Sequence, residues 1–282
     1  MTRITRRILF YCAFIVFLAA SYVAVLYAQG YKYIFSENKF VHTGAIYVKA
    51  NTTAQVLLDG KQVESTSLIT NSASVDGLLP AAHILSVQKE NHSLWQKKVT
   101  VRAGFVEEYS RILILPQAGP DEENLKKEIT DLLYPAVASA SPSPAVTKTP
   151  VPKKTASPSP SPTPDLSKPF YIDGGSLYVR TRDGAIHTKI AGDVVSAFLS
   201  PDGQKLAWFS NPPPGGQIWV YWFSDTNYQP LHIAGDIALI ARFGNKIKTA
   251  QWFKDSDHIA LDAGGLKITE IDTRPNVNII NF

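Results

Sequence analysis

Ala197-Phe198-Leu199-Ser200-Pro201-Asp202-Gly203-Gln204-Lys205-Leu206-Ala207-Trp208 recurs without a gap as Ala250-Gln251-Trp252-Phe253-Lys254-Asp255-Ser256-Asp257-His258-Ile259-Ala260-Leu261. In both copies an apolar run enters a turn built on Asp with Pro, Gly or Ser and leaves as a second apolar run, the pattern of two short strands joined by a tight loop. Each copy then leads into a glycine pair and another alternating run, Gly215-Gly216-Gln217-Ile218-Trp219-Val220 and Gly264-Gly265-Leu266-Lys267-Ile268. Gly174-Gly175-Ser176-Leu177-Tyr178-Val179 is a third copy of that second half. A spacing of about 40 to 53 residues is that of a repeating unit of four short strands. Residues 170–282 are therefore expected to be mainly β.

Upstream of the repeats, ten of the chain's 19 prolines fall between Pro135 and Pro169, among Ser, Thr, Ala and Lys and with no aromatic residue. Repeated Ser-Pro steps fix φ, remove backbone donors and offer almost nothing to bury. A disordered Pro/Ser/Thr-rich linker over 135–169 is expected, with an extended reach of roughly 100 Å at about 3.1 Å per residue. It separates two independent folding problems.

The first of these begins with ILFYCAFIVFLAASYVAVLYA, Ile8 to Ala28, an uncharged apolar run of about 21 residues and long enough to cross a bilayer core. Arg3, Arg6 and Arg7 precede it and no basic residue follows at once, so the positive-inside rule leaves residues 1–7 in the cytoplasm and the bulk of the chain outside. Tyr22, Tyr27, Tyr31 and Tyr33 fall near the outer interface. Cleavage after Ala28 is the competing reading, opposed by the length of the run and by Leu26 at the third position before the cut. Without those three arginines the chain carries 25 basic against 24 acidic groups, so the formal charge of +4 marks topology and gives no basic surface for nucleic acid. The single cysteine, Cys12, excludes an intrachain disulfide.

Between Gly44 and Pro116 the apolar period is two, in Ala45–Val48, Gln55–Leu58, His83–Val87, Lys98–Val101 and Ser110–Leu115, with turn signals at Asp59-Gly60, Asp76-Gly77, Glu90-Asn91 and Ala103-Gly104. Residues 40–117 are expected to form an antiparallel β-sandwich. Gly44, Ala54, Val56, Asp59, Gly60, Leu79, Pro80, His83, Trp95, Val99, Val101 and Gly104 resemble the pattern of a PEGA domain, a small surface β-module. The naming motif of that family is replaced here by Asn51-Thr52-Thr53-Ala54, Ala81 follows the central proline, and Asn91-His92 stands for the usual Gly-Tyr. The resemblance implies an extracellular interaction or spacer module and carries no catalytic residues. From Pro120 to Tyr134 the apolar positions Leu125, Ile129, Leu132 and Leu133 share a helical face. That short helix is expected either to pack on the sandwich or to fray into the linker.

The turn Ser200-Pro201-Asp202-Gly203 followed by a Leu-Ala strand resembles the repeat of TolB-like and related WD-type β-propellers. Some 113 residues supply a partial propeller of two to three blades, whereas a closed ring needs at least four. The expectation is a ring whose remainder is missing at the C-terminal side, with completion by another chain or a twisted stack of sheets as the other readings.

No Gly-x-Ser-x-Gly elbow, Walker loop, His-Glu-x-x-His or dinucleotide fingerprint occurs, and the six histidines are scattered singly. Asp255 and Asp257 lack the Gly and distant Glu of a calcium loop and read as a turn. No catalytic, cofactor or metal site is assigned. The rings around residues 208–223 are read chiefly as packing between blades, and alternation sets Trp219 and Tyr221 on one face against Val220 and Trp222 on the other. Trp219, Tyr221 and Trp222 are the candidate binding surface, since at least one ring is expected to stay accessible. The sequence thus reads as a non-enzymatic, single-pass cell-envelope protein presenting extracytoplasmic β-modules to a protein or cell-wall polymer, or alternatively as a docking or sensor subunit for a secreted or membrane-bound enzyme.

Overall fold

A computed structural model describes residues 2–135, 168–180 and 187–282, and they form a mainly β protein. The expected linker lies almost wholly outside the described residues. Helix α1 (Arg3–Ala28) starts on Thr2, whose hydroxyl accepts the N–H of Thr5, and ends where Gln29 donates to the Val25 carbonyl. None of its residues is buried. Ile8, Phe10, Phe14, Ile15 and Phe17 all point away from protein, and the helix is long and apolar enough to serve as a membrane span or as a signal sequence.

The described chain divides into two compact units, and neither is contiguous in sequence. Unit 1 holds residues 1–122 together with 226–231 and 272–278. After α1 comes a hairpin, β1 (Tyr31–Ile34) and β2 (Lys39–His42). A second group of strands follows: β3 (Gly44–Ala50), β4 (Gln55–Leu58), β5 (Lys61–Ser65), β6 (Ser72–Leu78), β7 (Ala82–Gln88), β8 (Trp95–Thr100) and β9 (Val106–Ile112). They build two sheets, ordered β6-β3-β9 and β5-β4-β7-β8. The inward residues Ile46, Val48, Val56, Leu85, Val87, Trp95, Val99, Tyr109 and Ile112 form one core.

The second sheet is antiparallel as expected, but β3 and β9 pair in parallel, Ala45 opposite Val106 and Tyr47 opposite Glu108. Between β3 and β9 the chain crosses to the second sheet for β4 and β5, returns for β6 and crosses again for β7 and β8, and so long a connection frees the last strand from hairpin geometry. Gly44 opens β3 where a side chain has no room, because a Cβ there would overlap the Arg102 carbonyl oxygen.

Alternation in β8 sends Trp95, Lys97 and Val99 inward, and Lys97 is fully buried. Its ammonium donates to the carbonyl oxygens of Asp272 (2.8 Å) and Arg274 (3.1 Å) and lies 3.6 Å from the Asp272 carboxylate. Arg274 in turn grips Asp272 through Nε and Nη2 and lies over the ring of Tyr109, 3.9 Å from its centroid. Both exposed backbone edges on this side are closed by side-chain amides. Gln229 accepts from the Glu108 N–H and donates to the Val106 carbonyl on β9, and Asn278 accepts from the Gln96 N–H on β8. A carboxamide offers a donor and an acceptor in the plane a neighbouring strand would use, so Gln229 substitutes for a missing strand beside β9, and Asn278 satisfies one N–H of β8.

Unit 2 holds residues 123–225, 232–271 and 279–282. Helix α2 (Gly119–Leu133) buries Leu125, Ile129 and Leu133, and from Glu123 onward it belongs to this unit, not to the sandwich. Its end is tied down, since the Tyr134 hydroxyl donates to Asp262 (2.7 Å), Thr249 donates to the Leu133 carbonyl and Lys254 pairs with Glu128. Three antiparallel sheets follow in strict chain order. They are β10 (Phe170–Asp173), β11 (Ser176–Arg180) and β12 (His187–Ala191); then β13 (Val194–Leu199), β14 (Lys205–Ser210), β15 (Gly216–Trp222) and β16 (Ile237–Phe243); then β17 (Thr249–Trp252), β18 (His258–Asp262), β19 (Leu266–Glu270) and β20 (Ile279–Asn281). The first strands of successive sheets lie side by side, β10 against β13 and β13 against β17. Trp252 crosses between them, donating its indole N–H to the Phe198 carbonyl at 3.1 Å.

The repeated turns are built alike. Asp202 accepts from the Ser200 hydroxyl and the Gln204 N–H, and Asp255 accepts from the N–H groups of Asp257 and His258. At the equivalent place three residues on stands a buried cationic or imidazole side chain, Lys205 beside Asp202 (3.4 Å) and His258 beside Asp255 (2.9 Å). Lys205 also reaches Asp257 in the next turn at 3.4 Å. Burial pushes the Asp202 and Asp255 carboxyls up, but these hydrogen bonds and neighbouring charges outweigh it and hold both below the usual 3.8.

Two outcomes follow from these buried charges. Asp272→Ala should destabilise unit 1 by about 3 kcal/mol because it removes the carboxylate that faces both buried Lys97 and half-buried Arg274, whereas Lys97→Met should cost less than about 1 kcal/mol; urea unfolding followed by tryptophan fluorescence checks the order, and an equal effect would overturn the reading. A carboxyl whose folded pKa is depressed stabilises above its unfolded pKa and loses that contribution as pH falls through the folded value. The melting temperature should accordingly be level above about pH 5 and fall below about pH 4, with a shallower acid slope in Asp255→Asn.

Candidate functional site

Strand β15 alternates as expected, with Ile218, Val220 and Trp222 buried and Gln217, Trp219 and Tyr221 half-buried. The consequence for the candidate surface is a correction. Trp222 is 1% exposed and stacks on His232 at 3.8 Å between ring centroids, so it is core and cannot meet a ligand. Trp219 and Tyr221 pack against Leu177, Val179, Val194, Leu206 and Trp208. Trp219 lies nearly parallel to Trp208, and burial pushes the Tyr221 phenol up. These rings fill the space between sheets, the reading the sequence had favoured. Arg3, Arg6 and Arg7 occupy the exposed first turns of α1, which has no acidic residue in its first turn.

A concave feature of unit 1 lies elsewhere, an open groove of about 640 Å³ at the ends of β4, β5 and β7. Ser65, Gln55 and Gln88 sit opposite one another across three neighbouring strands and supply a row of hydroxyl and amide groups. Leu68 and Leu94, both well exposed, form apolar walls, and Lys89, Glu90 and His92 stand at one end.

The frame beneath is fixed. The buried Thr66 hydroxyl accepts from the Ala54 N–H (2.8 Å), while its own N–H donates to the Ala54 carbonyl (2.9 Å). Asn51 exchanges two hydrogen bonds with Ile114, and Lys89 donates to Thr52. The groove thus abuts Asn51-Thr52-Thr53-Ala54. Its residues gave no signal in the sequence, because strand ends converge only in the folded sheet.

Three histidines pair with carboxylates, His83 with Asp59, His232 with Asp236 and His258 with Asp255. In each pair the aspartate also accepts a backbone N–H, from Ile84, Ile233 and His258 respectively, so the pairs staple turns. Among the described residues no group of three His, Cys, Asp or Glu side chains is placed to share a metal ion. What the groove offers chemically is neutral hydrogen bonding beside apolar contact, suited to an extended chain of amides or sugar hydroxyls. Comparison of the chain with protein-family models, curated proteins and solved structures returned no match.

Removing the Trp222 ring should destabilise unit 2 by about 3 kcal/mol or more, the usual cost of emptying an aromatic core site. Trp222→Ala should therefore lower the melting temperature markedly; a variant that melts like the parent would restore Trp222 as a surface residue.

Proposed function

We propose that this chain is a non-enzymatic, single-pass envelope protein, amino terminus inside, whose extracytoplasmic β-modules bind an extended protein segment or cell-wall polymer. In this reading the sandwich of unit 1 is PEGA-like and the consecutive sheets of unit 2 are blades of propeller type. One observation carries it: a helix with no buried residue runs directly into a β unit whose groove presents Gln55, Ser65 and Gln88 between apolar walls. Neutral amides and hydroxyls match polymer backbones, and the near balance of charge beyond α1 gives nucleic acid no basic track. The sheets of unit 2 support the propeller reading by their strict chain order and by the adjacency of their first strands.

The test is capture from cross-linked cell envelope with the full chain and with a Leu68→Asp/Leu94→Asp variant. Both side chains are exposed, so melting should stay within about 2 °C of the parent. Recovery of peptidoglycan, polysaccharide or a defined envelope protein should fall at least tenfold. Undiminished recovery by the variant would remove the groove from the function.

A further inference from the structure

The hairpin β1–β2 contributes no residue to the core of unit 1, yet it carries a run of rings. Tyr31 stacks on His42 (4.7 Å between centroids), Tyr33 meets Phe40 edge-on (5.0 Å), and Phe35 meets Tyr33 at 4.9 Å. Cross-strand pairing places Tyr31 opposite His42 and Tyr33 opposite Phe40, so these four share one face, which leads to a tip where Phe35 is 83% exposed. Lys32 and Lys39 are exposed on the opposite face of the same hairpin.

The position of this stripe is set by the backbone. Only Gln29 and Gly30 separate the end of α1 from β1, and the Gly30 carbonyl is held by both the N–H (2.9 Å) and the hydroxyl (2.6 Å) of Thr43 at the far end of the hairpin. The hairpin is therefore pinned at both ends beside the last turn of the apolar helix. From Ile8 to Ala28 that helix rises about 31 Å at 1.5 Å per residue, which matches a hydrocarbon core and leaves Gly30 at headgroup depth. Amphipathic rings with a polar edge, flanked by lysines, are what that depth favours.

We propose that β1–β2 is an interfacial anchor that lays its aromatic face and Phe35 into the headgroup region of the bilayer that α1 crosses. This rests on the anchoring part of the function proposed above. The partner is the lipid surface next to the helix itself, and the continuity of hairpin and helix is the argument for it.

The test uses the full chain in phosphatidylcholine liposomes, with Cys12→Ser removing the native thiol and an environment-sensitive fluorophore attached at Phe35→Cys. Glu64→Cys, on the exposed strand β5, is the reference site. Retention after an alkaline wash reports on anchoring alone; a chain that washes off overturns the anchor and this inference with it. With the chain retained, the label at 35 should show an iodide quenching constant at least threefold below that at 64, together with strong quenching by lipid carrying a shallow spin label. Equal iodide access at the two sites would overturn the inference while leaving the anchor standing. Shielding from iodide without quenching by the lipid label would overturn it too, since the hairpin would then be covered by protein.

Discussion

The ammonium of Lys97 has no access to water, and unit 1 is organised around keeping it solvated by protein oxygen. A charge buried this way is tolerated only with good partners, and here they come from residues 272 and 274, some 175 positions along the chain. The 272–278 segment that serves Lys97 also closes the backbone edge of β8 through Asn278, and Gln229 in the separate 226–231 segment closes β9. A sandwich of two small sheets leaves such edges open unless something covers them. One stretch, 272–278, thus supplies both electrostatic solvation and edge protection, while 226–231 protects the other edge.

How much of this the sequence discloses depends on the range of the interaction. Apolar period marked β3, β4, β7, β8 and β9 in unit 1, and the gapless repeat at 197–208 and 250–261 placed β13–β14 and β17–β18, because alternation and turn chemistry are local; β1, β2, β5, β6, β10, β12, β16 and β20 carried too little apolar alternation to be read. The face assignment in β15 also followed from period. What period could not decide was which face of β15 was the more deeply covered, and Trp222 went into the core because the loop carrying His232 closes over it. The parallel pairing of β3 with β9 was equally invisible, since the alternation of a strand is the same whichever way its neighbour runs. Lys97 reads as a surface residue in any pattern, and only a distant segment makes its inward position tolerable. The groove was not legible, because its residues come from separate strands.

The repeated turns show how one backbone solution is kept while its chemistry changes. Asp202 and Asp255 occupy the same place and cap the same kind of loop, but the partner at the third position on is lysine in one copy and histidine in the other. Both are buried, both face a carboxylate, and only the lysine reaches on to the next turn. A strict sequence motif would miss the equivalence, whereas the requirement for a donor beside a turn aspartate captures it.

The discontinuity of unit 1 has a consequence for the order of events during synthesis. Residues 44–112 leave the ribosome early and can form their strands, but the oxygens that solvate Lys97 and the amide that closes β8 belong to residues 272–278. Until these emerge, the first-made sandwich has a buried cation to satisfy and an exposed β8 edge, which makes the nascent chain a natural client for chaperones and a target for proteases. Completion of the earliest module waits on residues about 160 positions beyond its last strand.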